Sequence, residues 1–333
     1  MKAIIPVAGV GTKLRPHTHT QPKPLIPVAG KPILGHIIES LLDEGITSQV
    51  FIVGYLREKI RDYVVGHYGD RIDACFVTQE PRRGLAHALW MTRDEIAGED
   101  DVLIILGDTI FIDEVSQIVK MPGTVLGVKE VEDPREYGIA VVGKDMQVLE
   151  TEEKPTIPTS NLALVGLYKI DNIKLFLSAL DVIVSKEIPH SLEYQLTDAL
   201  QAMIDAGAPV QAFKVKSWFD CGRKQSLLHT NCVLMERVPP PSPPEGSFHN
   251  TVIIPPVHIA PGCHITDSII GPDVAIAEHA VIHSAIVQNS ILGAYSTLER
   301  IILQNSVIGN DTTLRGRATS VNLGDNTEID FDD

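Results

Sequence analysis

Cysteine is scarce in this sequence: the 333 residues include four, Cys75, Cys221, Cys232 and Cys263, with no pair closer than Cys221 and Cys232. That spacing allows neither a CxxC zinc site nor a dense disulfide framework, and it predicts reduced thiols in a cytoplasmic protein. Long apolar runs are also missing, since nothing approaches the ~18 consecutive apolar residues of a membrane span. The opening stretch, MKAIIPVAGVGTK, has too short an apolar segment for a secretory signal, and a glycine-rich polar segment stands where a cleavage site would lie. It reads as a folded strand. Basic residues are outnumbered, 28 against 43 acidic, for a net charge of −15. Such a chain repels phosphate backbones and anionic headgroups, so neither a nucleic-acid nor a membrane partner is expected. Acidic residues, in turn, are absent from residues 1–38, which carry Lys2, Lys13, Arg15, Lys23 and Lys31. A basic opening on an acidic chain points to an anion site.

What is present divides into two parts, as the length suggests at ~150 residues per domain. The sharpest break is VPPPSPPEG, residues 238–246, where a dense run of prolines forbids helix and favours an extended spacer. The expected division is 1–237, a linker over 238–246, and 247–333. Upstream, short β-rich runs (3–7, 50–53, 74–77, 102–106) alternate with segments of helical apolar spacing, the pattern of an α/β protein with parallel strands. One helix is marked by Ile33, Leu34, Ile37, Ile38, Leu41 and Leu42, with Gly45 where a left-handed cap would fall. Another is expected over 85–96, and a strand over 210–215.

Downstream the period changes. IAPGCHI (259–265), IGPDVAI (270–276), LGAYSTL (292–298), IGNDTTL (308–314) and LGDNTEI (323–329) each make a hexapeptide step between aliphatics. A preceding phrase recurs from Ser268, Ser290, Ser306 and Ser320, at intervals near one turn of a three-sided solenoid. One Ile-Gly pair means little, but five such steps in one tract point to a parallel β-helix rather than a sandwich of short strands.

Several segments carry chemistry. In PVAGVGTKLR (6–15), Gly9 and Gly11 let backbone N–H groups approach an oxyanion, but the GK[ST] ending of a P-loop and the third glycine of a dinucleotide fingerprint are both lacking. Taken alone this is an ordinary βα turn. It is followed by PKPLIPVAGKP (22–32), whose prolines hold Lys23 in a rigid segment. Lys13 and Lys23 together could neutralise a triphosphate and the charge that develops in phosphoryl transfer. The apolar run VLIILGD ends in Asp108, at the strand edge where α/β sheets bind ligands, and Asp220 lies in WFDCG (218–222) after another strand. Singly, each aspartate is more commonly a turn residue. As a pair beside a phosphate loop they suit Mg²⁺, which takes a few carboxylates and completes its shell with phosphate.

With these segments in view, the chain resembles the sugar-1-phosphate nucleotidylyltransferases, and most closely the glucose-1-phosphate thymidylyltransferases and uridylyltransferases. The likeness covers roughly residues 1–237. Its markers are AGVGTKLRP (8–16), PKPLIP (22–27), Gln79 with GLAHA (84–88), LGD (106–108), DPREYG (133–138), EEKP (152–155), Asn161 through GLY (166–168), and WFD (218–220). The resemblance implies a Rossmann-like nucleotidyltransferase domain, α/β with a mixed, mainly parallel sheet, followed by a left-handed parallel β-helix. It implies that Ala8, Gly9, Gly11 and Thr12 wrap the nucleotide and that Gln79 with Gly84 contacts a pyrimidine base. Lys13 would meet the triphosphate, Lys23 would support the reacting α-phosphate, and Asp108 and Asp220 would coordinate Mg²⁺. Gly138, Glu153, Lys154 and Leu164 would line the sugar-phosphate pocket. Two positions depart from the family pattern: Lys13 stands where arginine is frequent and lacks its bidentate fork, and Ala8 stands where thymidylyltransferases commonly have a further glycine. The choice between dTTP and UTP stays open.

The implied reaction joins an NTP and a sugar 1-phosphate, glucose 1-phosphate favoured, into an NDP-sugar and pyrophosphate. The attacking phosphate is already anionic, so His17, His19 and His87 receive no proton-transfer role. The β-helix is expected to serve assembly into a homo-oligomer, preferably a trimer, with His258, His264, His279 and His283 as turn residues. Two alternatives are carried: a catalytically silent subunit that senses sugar nucleotide, and a bifunctional enzyme with acyltransferase activity in the β-helix.

Overall fold

A computed structural model describes residues 1–189, 192–239 and 248–317. The chain divides into two compact units, Met1–Thr230 and a second beginning at Asn231. The division falls inside the helix Lys224–Met235. Its final turn goes with the second unit because the buried Asn231 amide donates to the Asp273 carbonyl, 3.1 Å away in the β-helix. Most of the proline-rich segment lies outside the described residues, as do the repeats starting at Ser320 and Leu323.

The first unit is built on a nine-stranded mixed sheet. Four parallel strands lie side by side in the order Val102–Ile105, Lys2–Pro6, Ser48–Val53 and Asp73–Thr78. The long strand Leu162–Ile170 runs antiparallel to Val102–Ile105 and carries the rest of the sheet: Thr124–Glu130, its parallel neighbour Val210–Lys214, and the hairpin Gly138–Val142 with Val148–Glu153. Leu162–Ile170 is buried at all its residues, which is why it is apolar without alternation except at Lys169, whose ammonium donates to the Met121 carbonyl.

The helix Ile33–Asp43 forms where its spacing predicts, with Ile33, Leu34, Ile37, Ile38 and Leu41 buried. Each such side chain contributes ~1.5–3 kcal/mol relative to exposure. It stops at Gly45, whose φ of 71° allows Gly45 N to donate to Leu42 O and Ile46 N to Leu41 O, the paired bonds of a Schellman cap. The segment expected as one helix over 85–96 is two, Leu85–Trp90 and Arg93–Ile96. Between them the Thr92 hydroxyl donates to the Leu89 carbonyl at 2.7 Å, an alternative to the helical ladder that bends the chain.

In the second unit, three parallel sheets stack strand upon strand in the three-sided β-helix expected from the repeats. Phe248, Ile265, Ile282, Leu298 and Leu314 stand above one another, so the later coils are one residue shorter than the first two. The recurring serine phrase does not mark one position in the coil. Ser268 precedes a strand of one sheet, whereas Ser290 begins a strand of another, so the step between them is one coil plus one further side. The coil corners repeat in columns of left-handed residues: Asn250, Asp267, Ser284 and Arg300; Asp273, Asn289 and Asn305; His279, Tyr295 and Asp311. Asparagine and aspartate tolerate that conformation better than other side chains. Asn289 also donates to Asn305 at 2.7 Å, tying successive coils.

Candidate active site

Strand order reverses between Lys2–Pro6 and Val102–Ile105: the chain first adds strands on one side of its opening strand, then returns to the other. Ligands of open α/β sheets bind beyond the carboxyl ends of the strands at such a switch point. Two loops leave the sheet here, and glycine sets their spacing. A Cβ on Gly107 would collide with Val7 and come within 2.8 Å of the Pro6 carbonyl, so only glycine lets the two strand ends draw together. The next residue is Asp108.

Gly11 does the same for the other loop. Its φ is 68°, and a Cβ there would lie 2.9 Å from Lys23 Cβ and 3.0 Å from Thr18 Cγ2. The loop therefore packs directly against the proline-flanked segment, and the Thr18 hydroxyl fixes it by donating to the Gly11 carbonyl at 2.9 Å. From this position the mostly buried Lys23 ammonium reaches Asp108 Oδ2 at 2.5 Å.

Asp220 arrives by a two-stranded ribbon. Trp218–Asp220 pairs antiparallel with Thr109–Phe111, placing Asp220 opposite Thr109, while Cys221 N donates to Asp108 O at 2.9 Å. Two acids far apart in the chain are thus set beside each other by backbone pairing. The buried Glu114 supports the approach to the ribbon by accepting from Lys216 N and Ser217 N. Burial, and then the nearby Asp108, push the Asp220 carboxyl above its ordinary value, against the pull of Lys23. Cys221 beside it is buried and its thiol is pushed up to about 12, so it is no nucleophile at neutral pH.

These residues face one cleft of about 930 Å³, lined by Gly11, Thr12, Lys13, Lys23, Asp108 and Asp220 among others. The cleft also holds residues to which sequence reasoning gives no role: Asp133, Glu136, Tyr137, Trp218 and Arg223. Glu136 bridges two cations, with Oε2 at 2.5 Å from Arg223 and 3.5 Å from Lys13. Arg223, and secondarily Lys13, hold its carboxyl below the usual carboxylate range. The order D-P-R-E-Y is visible as a family marker, but its individual charges carry no signal.

The residues expected around the sugar phosphate form a neighbouring cluster. The Thr197 hydroxyl donates to Glu153 Oε2 at 3.2 Å, and a Cβ on Gly138 would lie 3.0 Å from that oxygen and 3.3 Å from Leu164 Cδ1. Lys154 stands 3.6 Å from Glu153 and is tethered through its N–H to the Tyr137 carbonyl. Of these, Leu164 lines the cleft directly, and Tyr137 does so beside them. Gln79 and Gly84 also meet: the Gln79 amide donates to the Gly84 carbonyl at 2.9 Å and lies 3.3 Å from His87 Nδ1. Neither they, nor Ala8 and Gly9, line the cleft itself. Burial, and then the nearby Arg83, lower the pKa of His87.

In the β-helix, the histidines expected in turns are mostly in strands. His258, His264 and His283 lie within Val257–Ile259, His264–Thr266 and Val281–His283, and only His279 occupies a corner, stacked on Tyr295. His283 is within 2.8 Å of the Thr266 hydroxyl. The strand alternation explains the difference, because each of these histidines adjoins an inward aliphatic, Val257, Ile265 or Ile282, and so takes the next, outward position.

The mixed α/β sheet with this switch-point cleft belongs to a nucleotidyltransferase, the class to which comparison with known families assigns it. Residues 2–237 match the family model described as nucleotidyl transferase, and residues 244–313 match the GlmU-like C-terminal hexapeptide model. The chain belongs to the nucleotidyl transferase family, on its sugar-1-phosphate branch, and carries a hexapeptide-repeat β-helix. Among similar proteins, a glucose-1-phosphate thymidylyltransferase of Streptomyces griseus is 33% identical over 319 residues, covering 88% of this chain and 87% of that one. The bifunctional protein GlmU of Methanocaldococcus jannaschii is 37% identical over 240 residues, which are 72% of this chain but 55% of that longer protein. A solved UDP-glucose pyrophosphorylase in complex with UDP-glucose shares the fold, with a TM-score of 0.62 at 22% identity over 71% of this chain and 99% of that one.

Proposed function

We propose that this enzyme transfers the nucleotidyl group of dTTP or UTP to glucose 1-phosphate, releasing pyrophosphate and forming the NDP-sugar. The observation that carries the reading is the convergence of Lys23, Asp108 and Asp220 on one cleft with the Gly11–Lys13 loop. The phosphate oxygen of the sugar phosphate attacks the α-phosphorus in line, the bond from that phosphorus to the bridging oxygen of the β-phosphate breaks, and pyrophosphate leaves. Lys23 stabilises charge at the α-phosphate, and Lys13 holds the departing phosphates. The nucleophile is anionic at neutral pH, so no side chain needs to remove a proton.

Asp108 and Asp220 fit a divalent cation. Their mutual proximity is what helps raise the Asp220 carboxyl, and Lys23 alone offsets only one of the two charges. Among the described residues no three acids, histidines or cysteines cluster as a metal site, so a cation here would complete its shell with phosphate and water, as Mg²⁺ does. When bound, Mg²⁺ supplies neutralisation of the phosphate charge. On the sugar side, Glu153, oriented by Thr197, accepts hydroxyl hydrogen bonds, and Lys154 pairs the sugar phosphate. Gln79 and Gly84 read the base, and Ala8, Gly9, Gly11 and Thr12 enclose the nucleotide.

The β-helix is proposed to assemble the enzyme as a homotrimer. Val252, Ile269, Ile286 and Ile302 form an outward column on one of its sheets, an aliphatic stripe without charge on a chain of net charge −15. The boundaries 1–237 and 247–333, joined by the proline spacer 238–246, describe the working parts. Among the described residues no helix is long and apolar enough to cross a membrane, and all four cysteines are free, in keeping with a cytoplasmic enzyme.

The test is a pyrophosphate-release assay of the full chain across dTTP, UTP, GTP, CTP and ATP against glucose, mannose, galactose and amino-sugar 1-phosphates. Release with dTTP or UTP and glucose 1-phosphate is expected. Silence with every pair would assign the chain instead to a sensing subunit.

A further inference from the structure

We infer that Arg223 is a phosphate-binding residue of this cleft, and that Glu136 is its internal competitor, a carboxylate that an incoming polyphosphate must displace. The inference rests on the nucleotidyl-transfer reading for the identity of the polyphosphate, but its geometry stands apart from the Lys23–Asp108–Asp220 group.

Lys13 and Arg223 come from opposite ends of the first unit's sequence and converge on one carboxylate, Glu136, at 3.5 and 2.5 Å. All three residues line the cleft. Two cations held within reach of a single small oxyanion are placed to hold another, because carboxylate and phosphate oxygens accept the same charge-assisted hydrogen bonds. The other basic groups of the cleft region are already committed. Lys23 is mostly buried against Asp108, and Arg135, which makes a two-pronged pair with Asp133 at 2.8 and 2.6 Å, does not line the cleft. Lys13 is a point charge without a fork, and Arg223 supplies the planar, bidentate donor set that tetrahedral phosphate groups favour.

The Glu136 bridge is also weak enough to yield. Its three side chains are each more than half exposed, and pairs of that kind hold little in water and less in salt. Glu136 can therefore keep two like-charged side chains together and still give way to a polyanion. It occupies the short turn Pro134–Glu136, directly before Tyr137, whose carbonyl tethers Lys154.

The experiment measures binding of inorganic pyrophosphate and tripolyphosphate to the full chain by calorimetry at low and high salt, alongside KM for each substrate. Arg223→Ala is expected to weaken pyrophosphate about 10-fold and to raise KM for the NTP while leaving KM for the sugar phosphate in place. Arg223→Lys should fall between wild type and Arg223→Ala. Glu136→Gln is expected to tighten pyrophosphate about 3-fold at low salt, with the gain shrinking at high salt and vanishing in the Arg223→Ala background. Unchanged pyrophosphate binding in Arg223→Ala, or weaker binding in Glu136→Gln, overturns the inference even if the wild type turns over normally. Variants that order as expected beside a wild type that makes no nucleotide sugar would instead sustain the inference and remove the nucleotidyl-transfer reading.

Discussion

Lys23 Nζ lies 2.5 Å from Asp108 Oδ2 although 85 residues separate them in sequence. The lysine is 13% exposed and the aspartate 41%, so the ammonium is fixed from behind while the carboxylate stays open to the cleft. On the proposed reading Lys23 faces the reacting phosphorus, where a fixed cation is worth most because it needs no rearrangement during reaction. Lys23→Met, which keeps the length and loses the charge, should lower kcat about 100-fold or more with little change in circular dichroism. A loss below about 10-fold would remove Lys23 from the reacting centre.

Asp108→Asn preserves volume and removes one of the two carboxylates proposed to hold the cation. Turnover at ordinary Mg²⁺ should fall by about two orders of magnitude or more, with partial recovery as Mg²⁺ is raised. Titration of activity against Mg²⁺ checks this, and turnover equal to wild type would exclude Asp108 from cation binding. Chelation of divalent cations should silence the wild type in the same assay.

Gly138→Ala tests the proposed sugar-phosphate side separately. The new methyl would sit 2.8 Å from Thr197 Cγ2 and 3.0 Å from Glu153 Oε2, so Glu153 must shift. KM for the sugar phosphate should rise about 10-fold, the scale of one displaced hydrogen bond to a charged group, while KM for the NTP stays within about 2-fold. Equal rises for both substrates would place the damage in the fold rather than in the sugar pocket.

Ile302 is 69% exposed at the end of the aliphatic column on the β-helix. Ile302→Asp should leave monomer stability within about 0.5 kcal/mol and shift the particle mass measured by light scattering from trimer to monomer. An unchanged mass would show that this column is not the interface. Leu298, inward and fully buried, makes the contrast: Leu298→Ala should cost about 2–5 kcal/mol through loss of packing.

His36 donates from Nε2 to the Val28 carbonyl, 2.9 Å away, and burial, against that bond, lowers its pKa from 6.5, with Lys31 and Glu39 acting in opposite directions. The unfolded chain then binds the proton more readily than the folded one. The stability that depends on neutral His36 is complete above pH 6.5 and declines as pH falls below it toward the lowered folded value. Urea unfolding at pH 7 and pH 5 should show a larger loss for wild type than for His36→Gln. Equal losses would show that His36 does not contribute to the pH dependence.

Much of the architecture is legible in the sequence because it is local. The apolar spacing from Ile33 to Leu42, with Gly45 after it, encodes a helix and its stop in one continuous stretch. The β-helix is likewise written as a repeat, although the phrase that begins at Ser268 recurs at Ser290 on a different side of the solenoid. The break at Thr92 is not legible, because a hydroxyl bonding back to Leu89 leaves the apolar pattern of 85–96 intact.

The sequence by itself determined the kinds of group available: a glycine loop, a rigid lysine, carboxylates after apolar strands, and a stacking repeat. These follow from residue type and near-neighbour spacing, which act over a few bonds. Only the tertiary structure decided which of them meet. The ribbon pairing Asp220 with Thr109 sets two distant acids side by side, the close approach at Gly11 carries Lys23 to Asp108, and Glu136 draws Arg223 and Lys13 into one cluster. Contacts between segments far apart in the chain are fixed by strand order and backbone register, and a side chain's charge carries no information about the distant partner that register will bring to it.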